Sequence, residues 1–159
     1  MPDADSLGAA QPMITLYLPH RPNRFAGQDA DPDAVALMAA NSNHWRKIVT
    51  LLAKVACPIA ADWRCFRDES LLRATALNFA PELSGGSGWH WIGGKENLQR
   101  FDRLHHRASP LSGAPEIAMD VQRRLLLTPY PDYRQLSNAM VMQVRAALED
   151  QGFYAGADS

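Results

Sequence analysis

The stretch "LLLTPYPDYRQLSN", residues 125–138, decides the fold that this sequence predicts. It begins as an apolar run, which is typical of a buried strand, and it ends near Ser137, a residue type that caps helices. A helix is expected directly afterwards, from Asn138 to Asp150. Between strand and helix, Pro129 and Pro131 restrict the backbone of a turn that is rich in polar and aromatic side chains. A strand followed so closely by a helix indicates a parallel sheet covered by helices.

Three earlier segments complete the predicted sheet. They are apolar, contain β-branched or aromatic residues and stop at proline or glycine, as strands do. In chain order, the four expected strands are "MITLYLP" (13–19), "TALNFAP" (75–81), "GWHWIGG" (88–94) and "RRLLLTP" (123–129). The segment "KENLQRFDRLHHR" (95–107) is expected to be a helix, and "ASPLSGAP" (108–115) a turn-rich connection.

Helical periodicity fills the long interval between the first two strands. In "NSNHWRKIVTLLAKV" (41–55), apolar residues recur at i, i+3, i+4 and i+7 and form one face of a helix. These residues are Ile48, Leu51, Leu52 and Val55. Shorter helices are expected in "DPDAVALMAA" (31–40), with Asp31 as the cap, and in "DESLLRA" (68–74).

Length and composition limit the chain to one domain. Its 159 residues, of which 47% are hydrophobic, suffice for one substantial core. We therefore predict a three-layer α/β/α domain over residues 13–152 with a four-stranded, mostly parallel sheet. Flexible tails are expected at residues 1–12 and 153–159.

Cysteine content and hydropathy narrow the possible classes of protein. Cys57 and Cys65 lack CxxC spacing, so neither a disulfide framework nor a metal site is expected, and no cofactor is implied. No apolar stretch approaches the roughly 18 residues that a membrane span needs, and the amino terminus lacks the pattern of a signal peptide. We expect a cytoplasmic protein that does not bind membranes.

The charge of the chain is balanced overall but uneven along its length. A formal net charge of −1 gives the whole chain no strong attraction for nucleic acid. Residues 1–40 nevertheless carry a net charge of −3, and residues 41–80 carry +3. The second segment forms either a local basic face or a mixed, solvated surface.

Polar side chains follow three of the predicted strands. In an open parallel sheet, ligands bind outside the carboxyl ends of the strands, where loops and helix amino termini converge. The candidates are His20, Arg21 and Asn23 after the first strand, Gly94 and Lys95 after the third, and Tyr130, Asp132, Tyr133 and Arg134 after the fourth. Simpler interpretations stay open, because paired glycines often only make a turn, a loop histidine is often a surface residue, and Asp132 can form a local ion pair with Arg134.

The order of these segments resembles the uracil-DNA glycosylase superfamily, and in particular its mismatch-specific uracil/thymine glycosylase branch. "NSNHWRKIVTLLAKV" is similar to the Asn-aromatic-Trp-Lys helix of that branch, and "GWHWIGGKENLQRF" is similar to its strand-Gly-Lys segment. "RRLLLTPYPDYRQLSNAMVMQVRAAL" resembles the final strand, last motif and closing helix. The resemblance spans residues 13–150 and implies a domain that extrudes a base from DNA and holds it in a pocket.

The resemblance also implies roles for individual residues. In the family, the first motif positions the attacking water, and here Asn23 is the nearest match, although the Gly-x-Asn/Asp-Pro-Gly pattern is missing. The last motif reads Tyr130-Pro131-Asp132, where the family has Asn or His, then Pro, then Ser. These departures lead us to expect base binding with lost or altered N-glycosidic hydrolysis.

The main hypothesis is a glycosylase-like domain that binds a nucleobase, a nucleotide or a nucleic-acid end. The tyrosine rings would stack on a base, Arg134 and Lys95 would meet phosphate, and a polar group at Asn23 or Asp132 would position water. One alternative is a non-catalytic domain that keeps the fold and binds a protein partner. A further alternative is a hydrolase that acts on a different phosphorylated compound. This hypothesis rests on Gly94 and its neighbours alone.

Overall fold

A mixed sheet of seven strands organises the chain. The computed structural model describes residues 5–25, 27, 31–85 and 88–155. The strands are β1 (Ser6–Gly8), β2 (Ile14–Tyr17), β3 (Ala76–Asn78), β4 (Trp89–Gly93), β5 (Ser109–Leu111), β6 (Ala114–Asp120) and β7 (Leu125–Thr128). Their order across the sheet is β1-β3-β2-β4-β7-β6-β5.

The centre of the sheet consists of the four strands that the sequence predicts. β2 pairs in parallel with both β3 and β4, and β4 pairs in parallel with β7. The register places Leu16 beside Trp91, and Trp91 beside Leu126. The α/β class is therefore confirmed, and the carboxyl ends of β2, β4 and β7 lie along one edge.

The prediction of a four-stranded sheet is wrong, because three antiparallel strands extend it. β1, which lies in the segment that was expected to be a flexible tail, pairs with β3. At the other side of the sheet, β5 pairs with β6, and β6 pairs with β7. The segment 108–115 was expected to be a turn-rich connection. Pro110 suits the edge strand β5, where a missing N–H does not interrupt a ladder, but Pro110 and Pro115 hide the strand pattern in the sequence.

Gly8 explains how the short strand β1 approaches the sheet so closely. A Cβ atom at this position would lie 2.5 Å from the carbonyl oxygen of Thr75, and the residue has a φ of +119°. Only glycine adopts this backbone conformation readily. The amino-terminal segment therefore packs closely against the sheet from residue 6 onwards.

Six α-helices accompany the sheet in the described residues. They are α1 (Ala34–Ala40), α2 (Asn43–Ala56), α3 (Trp63–Glu69), α4 (Leu71–Ala74), α5 (Lys95–Gln99) and α6 (Asn138–Asp150), with a 3₁₀ turn at Ala60–Asp62. Ser137 caps α6 as predicted, whereas Asp33 instead of Asp31 caps α1 by accepting from the N–H of Val35. None of these helices is both long and apolar enough to cross a membrane.

The helices cover the two faces of the sheet unequally. The main core packs side chains of α1, α2, α4 and α6 against one face, which carries Leu16, Trp91 and Leu126. The other face carries a smaller cluster of Tyr17, Ile92, Phe101 and Leu125. Of the helix expected over 95–107, only α5 forms, so the second outer layer consists mainly of loops.

The carboxyl end of α2 is fixed by α6 and by the residues that follow it. The guanidinium of Arg145 donates to the carbonyl oxygens of Lys54 at 2.8 Å and Cys57 at 2.7 Å, and the hydroxyl of Tyr154 donates to Val55 at 2.6 Å. These contacts satisfy carbonyl groups that have no partner inside the helix. Tyr154 lies in the segment that was predicted as a flexible tail, and it is instead packed against the core.

Candidate functional site at the carboxyl edge of the parallel strands

A cleft of about 750 Å³ lies at the carboxyl edge of the parallel strands. Three loops wall it, namely the loop after β2 through Pro19, the loop after β4 through Gly94–Asn97, and the loop after β7 through Thr128–Tyr130. The rest of the lining consists of Pro115 and Glu116 of β6 and of Gln135. We call this cavity the carboxyl-edge cleft. Its position is where parallel sheets usually bind ligands.

Tyr130 joins the cleft to two histidines from distant parts of the chain. Its Oη lies 3.1 Å from Nε2 of His44 and 3.2 Å from Nε2 of His20. The rings of His44 and Tyr130 are nearly parallel, with an interplanar angle of 8°, and Trp45 packs edge-on against His20. A phenol has one hydrogen to donate, so one histidine accepts from Tyr130 and the other donates to it.

Burial disfavours the charged forms of Tyr130 and His20. Desolvation, assisted by the negative charge of Asp132, raises the pKa of Tyr130 to about 12. Desolvation also lowers the pKa of His20, and the positive charges of His44 and Arg100 lower it further. Tyr130 and His20 therefore favour their neutral forms, and Tyr130 presents its ring to the cleft.

Two glycines allow the turn at Tyr130 to lie against the sheet. A Cβ atom on Gly93 would lie 2.7 Å from Cδ of Pro131, and one on Gly94 would lie 3.3 Å from Cδ2 of Tyr130. Gly94 also has a φ of +94°, which favours glycine. The interpretation of these glycines as turn residues is thus sufficient to explain them. The five-residue helix that follows them provides no anion site by itself.

Asn97 and Arg100 hold the loops of the cleft together, and sequence reasoning missed both. Nδ2 of Asn97 donates to the carbonyl oxygens of Tyr17 at 2.7 Å and Gly93 at 3.2 Å. Arg100 donates to Oδ1 of Asn97 at 3.0 Å and to the carbonyl oxygen of Leu18 at 3.0 Å. In the sequence, the only indication of this role was that the two residues follow the glycine pair with i, i+3 spacing. The same spacing is common on the exposed surface of a helix.

Two of the predicted site residues are used elsewhere. The backbone N–H of Asn23 donates to Oδ1 of Asn41 at 2.7 Å, and its side chain donates to the carbonyl oxygen of Ala40 at 3.2 Å. Arg21 forms an ion pair with Asp5. Both side chains fix the loop after β2 to its surroundings, and neither lines the cleft.

Asp132 serves mainly as a structural residue of the turn. Its Oδ1 accepts from the backbone N–H of Arg134 at 2.9 Å, and its Oδ2 lies 4.0 Å from Nζ of Lys47. The bond from Arg134, followed by the charges of Lys47 and His44, lowers the pKa of this carboxyl group. Asp132 thus contacts the backbone N–H of Arg134, whereas the cation that pairs with its carboxylate is Lys47 of α2.

A surface of cations and aromatic rings lies beside this turn. Nζ of Lys54 is 4.9 Å from the ring centre of Trp63 and 5.7 Å from that of Tyr133. Lys47 also approaches Tyr133, and two arginines approach Trp63. We call this the cation–aromatic surface; its members are Lys47, Lys54, Trp63, Arg64, Arg67 and Tyr133. Its lysines and arginines lie on α2 and α3, within the segment 41–80 that carries a net positive charge.

Comparison with known proteins yields one match. A family model described as "Family of unknown function (DUF6942)" matches residues 5–149. No curated protein and no solved structure matches the chain. The matched residues include all seven strands, the carboxyl-edge cleft and the cation–aromatic surface.

Proposed function

The chain belongs to the DUF6942 family, a family of unknown function, and we propose that it binds a nucleotide or the end of a nucleic-acid strand at the carboxyl-edge cleft. The observation that carries this proposal is the meeting of His20 and Tyr130 beside the cleft. These residues are 110 positions apart, and they combine ring surfaces with hydrogen-bonding groups. A nucleobase needs both kinds of contact.

The size and lining of the cleft suit a nucleobase. Its volume of about 750 Å³ falls within the range of small-molecule sites, which is roughly 300–1,000 Å³. Tyr130 offers a ring face, and Gln135 offers an amide. The carboxylates of Glu96 and Glu116 accept hydrogen bonds from N–H groups of a base but repel phosphate. Because Lys95 offsets only one of these two negative charges, we place the base in the cleft and its phosphate outside it.

The cation–aromatic surface is the proposed site for the phosphate groups. It adjoins the cleft through the turn at residues 130–133, and Tyr133 is 46% exposed. Lysine ammonium groups over aromatic rings contact backbone phosphates, while the rings stack on further bases. A strand end that continues from the cleft would cross this surface.

We propose binding without N-glycosidic hydrolysis. Hydrolysis requires a group that positions water next to the bound base. The side chain of Asn23 donates to the carbonyl oxygen of Ala40 at the end of α1. The carboxylate of Asp132 accepts from the backbone N–H of Arg134 and pairs with Lys47. Neither residue lines the cleft, so the groups that the glycosylase resemblance implies for catalysis are not available there.

Fluorescence titration tests the proposal with thymidine monophosphate and a short single-stranded oligodeoxynucleotide. Tyr130→Ala is expected to weaken binding by about tenfold or more, because a stacking contact contributes roughly 1–3 kcal/mol. Arg123→Gln is the control, since Arg123 pairs with Asp120 at the end of β6 and belongs neither to the cleft lining nor to the cation–aromatic surface. Equal affinity of Tyr130→Ala and the parent protein would contradict the proposal. Tighter binding of the oligomer than of the monophosphate identifies a strand end as the ligand.

A uracil-containing oligodeoxynucleotide tests the absence of hydrolysis. We expect binding without release of free uracil, measured by chromatography after long incubation. Release of uracil by the parent protein, and its loss in Asp132→Asn, would show that the glycosylase chemistry implied by the resemblance persists.

A further inference from the structure

Thr15 and His90 line a second cavity, and each has a buried polar atom without a hydrogen-bond partner among the described residues. Thr15 is 3% exposed and His90 is 8% exposed, and they are neighbours in the β2–β4 register. Within the described residues, neither Oγ1 of Thr15 nor Nε2 of His90 has a hydrogen-bond partner. A buried polar atom without a partner is costly, so each such atom needs an explanation.

The orientation of His90 is fixed by a hydrogen-bonded network. Its Nδ1 lies 2.7 Å from Oη of Tyr17, and this Oη accepts from the N–H of Ser84 at 2.9 Å. Oη of Tyr17 also lies 3.0 Å from Oγ of Ser84. Because Tyr17 holds Nδ1, the remaining nitrogen Nε2 lies on the other side of the imidazole ring.

The network permits both neutral tautomers of His90. When Tyr17 donates to Nδ1, Oγ of Ser84 donates to Tyr17, and Nε2 of His90 carries a hydrogen. When Nδ1 donates to Tyr17, Tyr17 donates to Ser84, and Nε2 has a free lone pair. Both arrangements satisfy every contact. Burial lowers the pKa of His90, which favours these neutral forms over the cation.

The cavity beside Thr15 and His90 has room for a small molecule. Its volume is about 390 Å³, and Gln11, Ser84 and Gly88 belong to its lining. None of the described residues that line it carries a charged side chain. An ion would therefore lose its hydration without gaining a counter-charge, so the cavity favours a neutral molecule over an ion. Gln11 and Gly88 precede β2 and β4, which places the cavity towards the edge opposite the carboxyl-edge cleft.

We propose that this cavity binds a small neutral molecule through a cyclic amide or urea edge, which hydrogen-bonds to both Thr15 and His90. Such an edge carries an N–H donor next to a carbonyl acceptor. A threonine hydroxyl donates or accepts, and so does a neutral histidine with two accessible tautomers. The proposal shares no residue with the carboxyl-edge cleft and does not depend on the function proposed for it.

Titration of the isotope-labelled full chain with 2-imidazolidinone, a cyclic urea, tests the proposal by NMR. We expect saturable shifts of the Nε2 signal of His90 and of the Thr15 amide. Propionate and guanidinium, which are charged molecules of similar size, are expected to leave both signals in place. Absence of a saturable shift with the cyclic urea, or equal shifts with the charged molecules, would overturn the inference.

Two matched variants separate binding from folding. Thr15→Val keeps the shape of the side chain but removes its hydroxyl, and we expect about fivefold to tenfold weaker binding of 2-imidazolidinone. Thr75→Val is the control, because the Thr75 hydroxyl already donates to the carbonyl oxygen of Leu71 at 2.7 Å and does not line the cavity. In thermal unfolding, Thr75→Val is expected to lose stability and Thr15→Val to retain it. Equal affinity of Thr15→Val and the parent protein contradicts the proposal.

Discussion

Oη of Tyr130 lies 3.2 Å from Nε2 of His20, which joins the loop after the first parallel strand to the turn after the last. β4 lies between these two strands in the sheet, so the contact spans the end of β4. Steric and polar constraints both maintain it. Gly93 lets Pro131 approach the sheet, and Asn97 fixes the ends of β2 and β4.

Gly93→Ala tests the steric part of this arrangement. The added Cβ would lie 2.7 Å from Cδ of Pro131, whose ring cannot rotate away, so we expect a loss of about 1–3 kcal/mol in the free energy of unfolding. Gly85→Ala is the matched control, because no atom lies within 4 Å of its added Cβ. Urea denaturation measures both variants, and equal stability of the two would contradict the close approach.

The stability of the domain is expected to fall as the pH drops below about 6.5, the ordinary pKa of histidine. Burial lowers the pKa of His90 in the folded state, so the unfolded chain binds more protons in this range. The neighbouring Tyr17 adds no charge there, because its own pKa is raised. Denaturation at a series of pH values measures the slope, which His90→Gln is expected to reduce. A parent protein that gains stability on acidification from neutral pH contradicts the burial of a neutral His90.

The salt dependence of oligonucleotide binding tests the cation–aromatic surface. Each phosphate neutralised by a cation contributes roughly one unit to the slope of log affinity against log salt concentration. Lys54→Gln is therefore expected to weaken binding and to reduce this slope by about one unit. Arg123→Gln again serves as the control. No binding of the parent protein at low salt favours the alternative of a domain that binds a protein partner.

The sequence predicted the centre of the fold well, because its signals there are local. The strands β2, β3, β4 and β7 are short apolar runs, and Ser137 marks the start of α6 by its capping chemistry. The antiparallel strands β5 and β6 could not be recognised in the same way. β6 has buried, exposed and intermediate positions without strict alternation, and β5 is three residues long with Pro110 inside it.

The candidate site was predictable only where side chains follow a strand directly. Tyr130, Gly94 and Lys95 line the cleft, and His20 contacts Tyr130. His44 was not expected there, because its position depends on how α2 packs against the sheet. Such packing involves residues far apart in the sequence, and no local pattern indicates it.

The most direct test of the proposed function is the histidine side-chain NMR spectrum during titration with the oligodeoxynucleotide. The account predicts that the Nε2 signals of His20 and His44 shift with a single affinity, because Tyr130 binds both rings. The exposed His105 and His106 are internal controls whose signals are expected to stay in place. Unchanged signals of His20 and His44 at saturating oligodeoxynucleotide would contradict a ligand site at the carboxyl-edge cleft.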